Sequence, residues 1–113
     1  MRGTSLIAAI AAVLAVPCAA QTAQPPASFT APASGYCIAC HQLPEGVGPR
    51  TRADLGPALT GERMRALGRA KLREVIEDPT KANPDTVMPP YGRHRILEPA
   101  EIQKLVEFLL ALP

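Results

Sequence analysis

The sequence predicts a small all-α domain, and three observations carry that reading. Apolar residues recur at helical spacing in two stretches, at Leu72, Val75 and Ile76 and again at Ile102, Leu105, Val106 and Leu109. No strand or hairpin pattern appears, and there is no internal repeat. The chain has 113 residues with no Trp, two Phe and two Tyr, so its own side chains offer little mass for a core. A domain that small struggles to bury enough surface alone. Some apolar body other than side chains is expected inside it.

The chain divides into three parts. Residues 1–20 have the layout of a secretory signal peptide: Arg2, then the uncharged run Leu6 to Val16, then Pro17 and Cys18-Ala19-Ala20 with small residues before the cut. Leu6 to Val16 is too short for the roughly 20 residues a membrane-spanning helix needs. A lipid anchor at Cys18 is the weaker reading, because Pro17 precedes that cysteine. Residues 21–33 hold Pro25, Pro26 and Pro32 without apolar period and read as a flexible leader. Residues 34–113 are the folded domain. After cleavage no stretch could span a membrane, and an exported, periplasmic protein is expected.

Within the domain, Ser34 to Cys40 reads as a short helix with Ser34 as N-cap. Leu43 to Asp54 is loop, marked by Pro44, Gly46, Gly48 and Pro49. Leu55 to Gly61 is a second Gly-Pro turn. Met64, between Arg63 and Arg65, reads as a side chain packed at the edge of a polar helix or loop. Arg69 to Asp78 is a helix, ended by Pro79. Asn83 to Pro90 is a stiff, Pro-bounded loop. Pro99 to Leu112 is the clearest helix, with Pro99 in its first turn, Glu101 favourable to the dipole, and Phe108 and Leu112 beside the apolar stripe. Packing this last helix across the one bearing Cys37 is the expected way to close the domain.

Chemistry enters at Cys37-Ile38-Ala39-Cys40-His41. C-x-x-C-H is the attachment motif of c-type haem. Positions i, i+3 and i+4 of a helical turn share one face, so two thiols and an imidazole can address one ring. A thioredoxin-type pair has no need of the His and sits in a βαβ pattern missing here. A zinc site needs four ligands, and only His94 is left besides carboxylates. The reading is therefore one covalently bound haem, which supplies the missing apolar mass, with His41 as proximal ligand. The fold expected is a class I-like cytochrome c fold.

For the opposite face of the iron, the candidates are Met64, Met88, His94, Lys71, Lys81 and Lys104. Met88 is preferred, because Pro89-Pro90 and the preceding loop can hold a thioether in place. His/Met ligation raises the reduction potential and fills both axial positions, which favours electron transfer over catalysis at this haem. Two Gly-Pro pairs, Gly56-Pro57 and Gly48-Pro49, compete to supply a carbonyl to the His41 ring, a bond that fixes its orientation.

The charge balance is close, 12 basic against 10 acidic side chains with Arg2 in the cleaved segment, which argues against nucleic-acid binding. Arg63, Arg65, Arg69, Lys71 and Arg73 form a basic stretch that is either a solvated helix face or a docking surface for an acidic partner. Arg93, His94 and Arg95 leave the same question open.

Tyr36 to Leu112 resembles SoxX, the monohaem c-type cytochrome subunit of SoxAX complexes. The resemblance is carried by Cys37 to Pro44, by Leu55-Gly56-Pro57-Ala58-Leu59-Thr60-Gly61, by Leu72 to Pro79 and above all by Asp78 to His94. Val75 departs from it where members often carry Trp. The resemblance implies haem held by Cys37 and Cys40, iron ligated by His41 and Met88, and Gly56-Pro57 near the proximal ring. It also implies a SoxA-type haem subunit as heterodimer partner, and transient contact with the carrier SoxYZ and a downstream cytochrome. The implied role is the non-catalytic electron-transfer subunit of an L-cysteine S-thiosulfotransferase, which couples thiosulfate oxidatively to a cysteine of SoxYZ. A free-standing periplasmic shuttle is the alternative. Both cysteines past Cys18 are consumed by haem, so the chemistry on sulfur falls to the partner.

Overall fold

The computed structural model describes residues 23–113, and every described element is helical: α1 (Ala27–Thr30), a 3-10 turn at Cys37–Ala39, α2 (Gly61–Glu77), a 3-10 turn at Pro79–Lys81, and α3 (Pro99–Leu110). There is no strand among these residues, as the sequence predicts. The signal-peptide reading of residues 1–20 lies outside the described residues.

α3 starts where the sequence places it. Pro99 occupies the first turn, and a capping box closes it, with the Glu98 amide donating to the Glu101 carboxylate at 2.9 Å. Ile102, Leu105, Val106, Phe108 and Leu109 are buried on one side. The helix ends at Leu110, two residues earlier than expected, but Leu112 still reaches the core.

α2 is longer than expected. It begins at Gly61, with the Thr60 hydroxyl accepting from the Arg63 amide at 3.3 Å. Gly68, at φ 78° and ψ 164°, breaks it in the middle. The first half therefore contributes Met64, the second Leu72 and Ile76, to one core. Met64 is buried, as its packing reading requires, and Val75 is half-buried. Pro79 has no amide to continue the helix, and the Asp78 carboxylate instead accepts from the Thr80 amide at 3.2 Å, starting the next turn.

α2 and α3 pack side by side, and three arginines of the basic stretch reach across that contact. Arg69 pairs with Glu107, its second nitrogen at 3.1 Å, and Arg73 reaches both Glu77 at 3.1 Å and Gln103. Arg65 donates to the Leu112 carbonyl at 2.6 Å, beside a bond from the Gly61 amide to the Pro113 carbonyl at 2.9 Å. Lys71 pairs with Glu74 at 2.8 Å. Arg63, Arg65 and Arg69 are exposed, as the solvated-face reading expects, and Arg65, Arg69 and Arg73 also reach across to α3 and the chain end beyond it.

The leader reading needs correction. Within residues 21–33, Ala27–Thr30 form a helical turn, and Phe29 is 1% exposed. Its ring meets Phe108 of α3 edge-on, centroids 5.3 Å apart. Burying one such side chain is worth about 1.5–3 kcal/mol, enough to order a proline-flanked turn. The expected Ser34–Cys40 helix shrinks to the 3-10 turn, entered through Tyr36 at φ 50°, and Ser34 does not cap it. That turn packs on α1, and α1 in turn touches α3. The predicted direct crossing of α3 over the Cys37 segment is replaced by this intermediary. Among the described residues no helix is long and apolar enough to cross a membrane.

Candidate functional site

The Cys37 carbonyl accepts from the amides of Cys40 at 3.2 Å and His41 at 2.9 Å. That single turn puts two thiols and an imidazole on one side of the backbone. The thiols are half-buried and not bonded to each other. Burial pushes the Cys37 thiol up to about 11, so it is protonated near neutrality. A redox-active or metal-ligating cysteine needs the reverse, a stabilised thiolate. Among the described residues no group of three or more His, Cys, Asp and Glu gathers as a metal cage would require.

The imidazole is held from two directions. Its Nδ1 lies 2.8 Å from the Pro57 carbonyl oxygen. A carbonyl only accepts, so Nδ1 carries the proton and Nε2 keeps its lone pair. Gly56 lies against the ring, its amide donating to the Cys40 carbonyl at 2.8 Å. A Cβ there would stand 2.7 Å from Nδ1 and 2.8 Å from Nε2, so no side chain fits. Gly48, the competing position, packs against Pro25 and Leu43 instead. The two Gly-Pro candidates are thereby resolved for Gly56-Pro57.

Met88 sits on the segment joining the second 3-10 turn to α3. Its amide donates to the Thr86 hydroxyl at 3.1 Å, and the Thr86 amide donates to the Asn83 carbonyl at 3.2 Å. The side chain is half-buried and packs against the core. After Pro89-Pro90 the chain is pinned to the end of α2, where the Glu77 carbonyl accepts from Gly92 and Arg93 at 3.1 and 3.0 Å. Gly92 itself passes so close that a Cβ would lie 3.0 Å from the Glu77 Cα. The other candidate ligands lie elsewhere: Met64 in the core, Lys71 on Glu74, and His94, Lys81 and Lys104 exposed.

Tyr91 is a site residue that the sequence reading passes over. It is buried, and its hydroxyl donates to the Gly35 carbonyl at 2.8 Å. Burial pushes that hydroxyl up to about 12, so it stays a neutral donor. The sequence held no signal for this bond, because the acceptor is a backbone carbonyl far away in the chain.

The donor set fits the haem that the motif implies. Two thiols and one imidazole whose Nδ1 is occupied by the Pro57 carbonyl share a turn, and a thioether stands on a separately braced loop. Leu55, beside Gly56, is 67% exposed and Val87, beside Met88, is 71% exposed, so apolar side chains flank both ligand segments. Cys37 and Cys40 would hold the group through thioether bonds and His41 and Met88 would ligate its iron, and the group would supply reversible one-electron chemistry.

The family model described as cytochrome c oxidase, cbb3-type, subunit III matches residues 20–109, a span that includes every residue of this site. No curated protein matches the chain.

Proposed function

The chain belongs to the c-type cytochrome family described as cytochrome c oxidase, cbb3-type, subunit III, and we propose that within it this protein is the electron-transfer subunit of a SoxAX-type complex. Electron transfer and a haem cofactor come with the family. The finer reading adds one covalent haem on Cys37 and Cys40, ligated by His41 and Met88, and a periplasmic location.

The observation that supports the redox role best is the bond from His41 Nδ1 to the Pro57 carbonyl. It sets the tautomer and aims Nε2. Gly56 excludes any side chain from the ring, so the imidazole cannot rotate freely. Pro89-Pro90 and the Thr86 hydroxyl brace the loop that carries the Met88 thioether, which as a ligand to haem iron would leave no place there for a small substrate. With haem bound, His41 and Met88 on these supports would hold its iron from fixed positions, a setting that suits electron transfer.

The pathway reading rests on the resemblance to SoxX, above all over Asp78 to His94. Cys37 and Cys40 are the only cysteines among the described residues, and haem attachment consumes both. No thiol is then left among the described residues to carry a sulfur adduct, so on this reading sulfur chemistry belongs to a SoxA-type haem subunit. This chain accepts the electrons released when thiosulfate is joined to the SoxYZ cysteine and passes them to a downstream cytochrome. Affinity purification of the full-length protein from its native periplasm tests this. A haem-bearing partner and thiosulfate-dependent reduction in the presence of the carrier are expected. Elution of the cytochrome alone would overturn the subunit role.

A second reading is a free-standing carrier, for which an oxidase of the kind named in the family's description would be one redox partner. In that case the purified protein is monomeric and reduces or oxidises a terminal oxidase without any carrier protein. Either way, Met88→Ala removes the weak near-infrared thioether-to-iron band of the oxidised protein. Persistence of that band in the variant sinks the Met88 assignment.

A further inference from the structure

The segment carrying Met88 and the segment carrying Cys37, Cys40 and His41 are far apart in sequence. Among the described residues one hydrogen bond joins them directly, from the Tyr91 hydroxyl to the Gly35 carbonyl at 2.8 Å. Gly35 is two residues before Cys37, and Tyr91 is three after Met88. Gly35 is itself wedged in place. A Cβ there would run into the Ser28 carbonyl, which accepts from the Tyr36 amide at 3.0 Å. The acceptor is thus fixed on α1, which the Phe29–Phe108 contact fixes on α3. The donor is fixed by burial of its ring. The other backbone ties near this loop do not reach the motif turn: His94 donates to the Pro90 carbonyl at 2.9 Å, Ile96 and Leu97 donate to the Tyr91 carbonyl at 2.9 and 3.1 Å, and Gly92 and Arg93 bind to Glu77 of α2.

We propose that Tyr91 is a positioning residue for the Met88 thioether, its hydroxyl latching the Met88 loop to the turn that carries the haem-attachment motif. The proposal rests on the His41/Met88 reading. With the hydroxyl in place the loop cannot lift without stranding a buried donor and a buried acceptor together. Without it, the loop from Ala82 to Pro90 swings on its own turn hydrogen bonds, and the sixth position opens more often to outside ligands. The ring of Tyr91 contributes to the core either way, so packing and latching are separable.

The experiment uses the oxidised holoprotein and cyanide, a ligand that enters only when the sixth position opens. Tyr91→Phe keeps the ring and removes the donor. Cyanide entry is expected to accelerate about tenfold, the size of one buried hydrogen bond, while the near-infrared thioether band at rest is retained. Para-aminophenylalanine at position 91, which restores a donor of similar reach, brings the rate back toward that of the parent. The acceleration is expected to be indifferent to low urea, as a local opening is, whereas entry through global unfolding rises steeply with urea. An unchanged rate in Tyr91→Phe overturns the latch, and so does an accelerated rate that follows global unfolding. If Tyr91→Phe yields no holoprotein, assembly of the para-amino variant supports the donor's role, and failure of both overturns it. Absence of the thioether band in the parent protein is a separate result, which removes the Met88 reading itself.

Discussion

At Gly56 the backbone has to come closer to the His41 ring than any Cβ permits, and the Pro57 carbonyl can then meet Nδ1. Gly56→Ala should push the imidazole away and break that bond. The expected outcome is a several-fold fall in holoprotein yield, measured as haem-stained protein against total chain. An unchanged yield with an unaltered visible spectrum would contradict the close approach. Residues whose meaning is covalent or local could be read from the sequence. On the proposed reading, Cys37, Cys40 and His41 are legible because thioether attachment demands that spacing, and Met88 because prolines brace it. Gly56-Pro57 is legible only as one of two pairs, since a carbonyl acceptor leaves no side-chain signature. Tyr91 is illegible, because its partner is the backbone of Gly35, and only the fold brings the two together.

The elements differ in how much of them a sequence can carry. α3 has every local sign in agreement: proline in the first turn, a capping box and a continuous apolar stripe. The second half of α2 is equally plain, bounded by Pro79. Its first half is concealed by Gly68 and by arginines whose partners sit on α3. α1 is concealed by flanking prolines, and it exists because Phe29 finds Phe108. Gly68 makes a direct test of backbone conformation, since open space surrounds it and a Cβ would meet nothing within 4 Å. Its dihedral angles belong to a region that is essentially glycine's alone, so Gly68→Ala should cost about 1–3 kcal/mol in urea denaturation. A neutral result would mean that α2 runs straight. The Arg69–Glu107 pair is exposed, with about half of each side chain in solvent. A double-mutant cycle on it should give a coupling of about 0.2–1 kcal/mol that shrinks with added salt.

For the whole molecule, two measurements bear on what holds it shut. Phe29→Ala removes the ring that joins α1 to α3, and the expected loss is about 3–5 kcal/mol, a large part of the stability of so small a domain. A loss below about 1 kcal/mol would restore the flexible-leader reading. The second concerns Asp78, at the junction of α2, the second 3-10 turn and Arg93. Its carboxyl is held below the ordinary range chiefly by the Thr80 hydroxyl and further by the charge of Arg93, against the opposing effect of burial. As pH falls the unfolded chain takes up that proton first. The group's contribution is therefore complete above the ordinary carboxylate range and lost as pH drops through the depressed folded value. The parent protein should lose more stability between neutrality and about pH 3 than Asp78→Asn does, read as urea midpoints. Equal losses would show that Asp78 takes no part. The Phe29–Phe108 contact also has a consequence in time. It joins the first described helix to the last, so the domain cannot close until α3 has been made. Contacts that span so much of a chain form late, after the loop-closure entropy between them has been met. Until then the Cys37–His41 turn has α1 beside it but no α3 behind α1, and its thiols stay accessible. On the proposed haem reading, this order of folding would leave an interval in which attachment precedes closure, and the docking of α3 would end it.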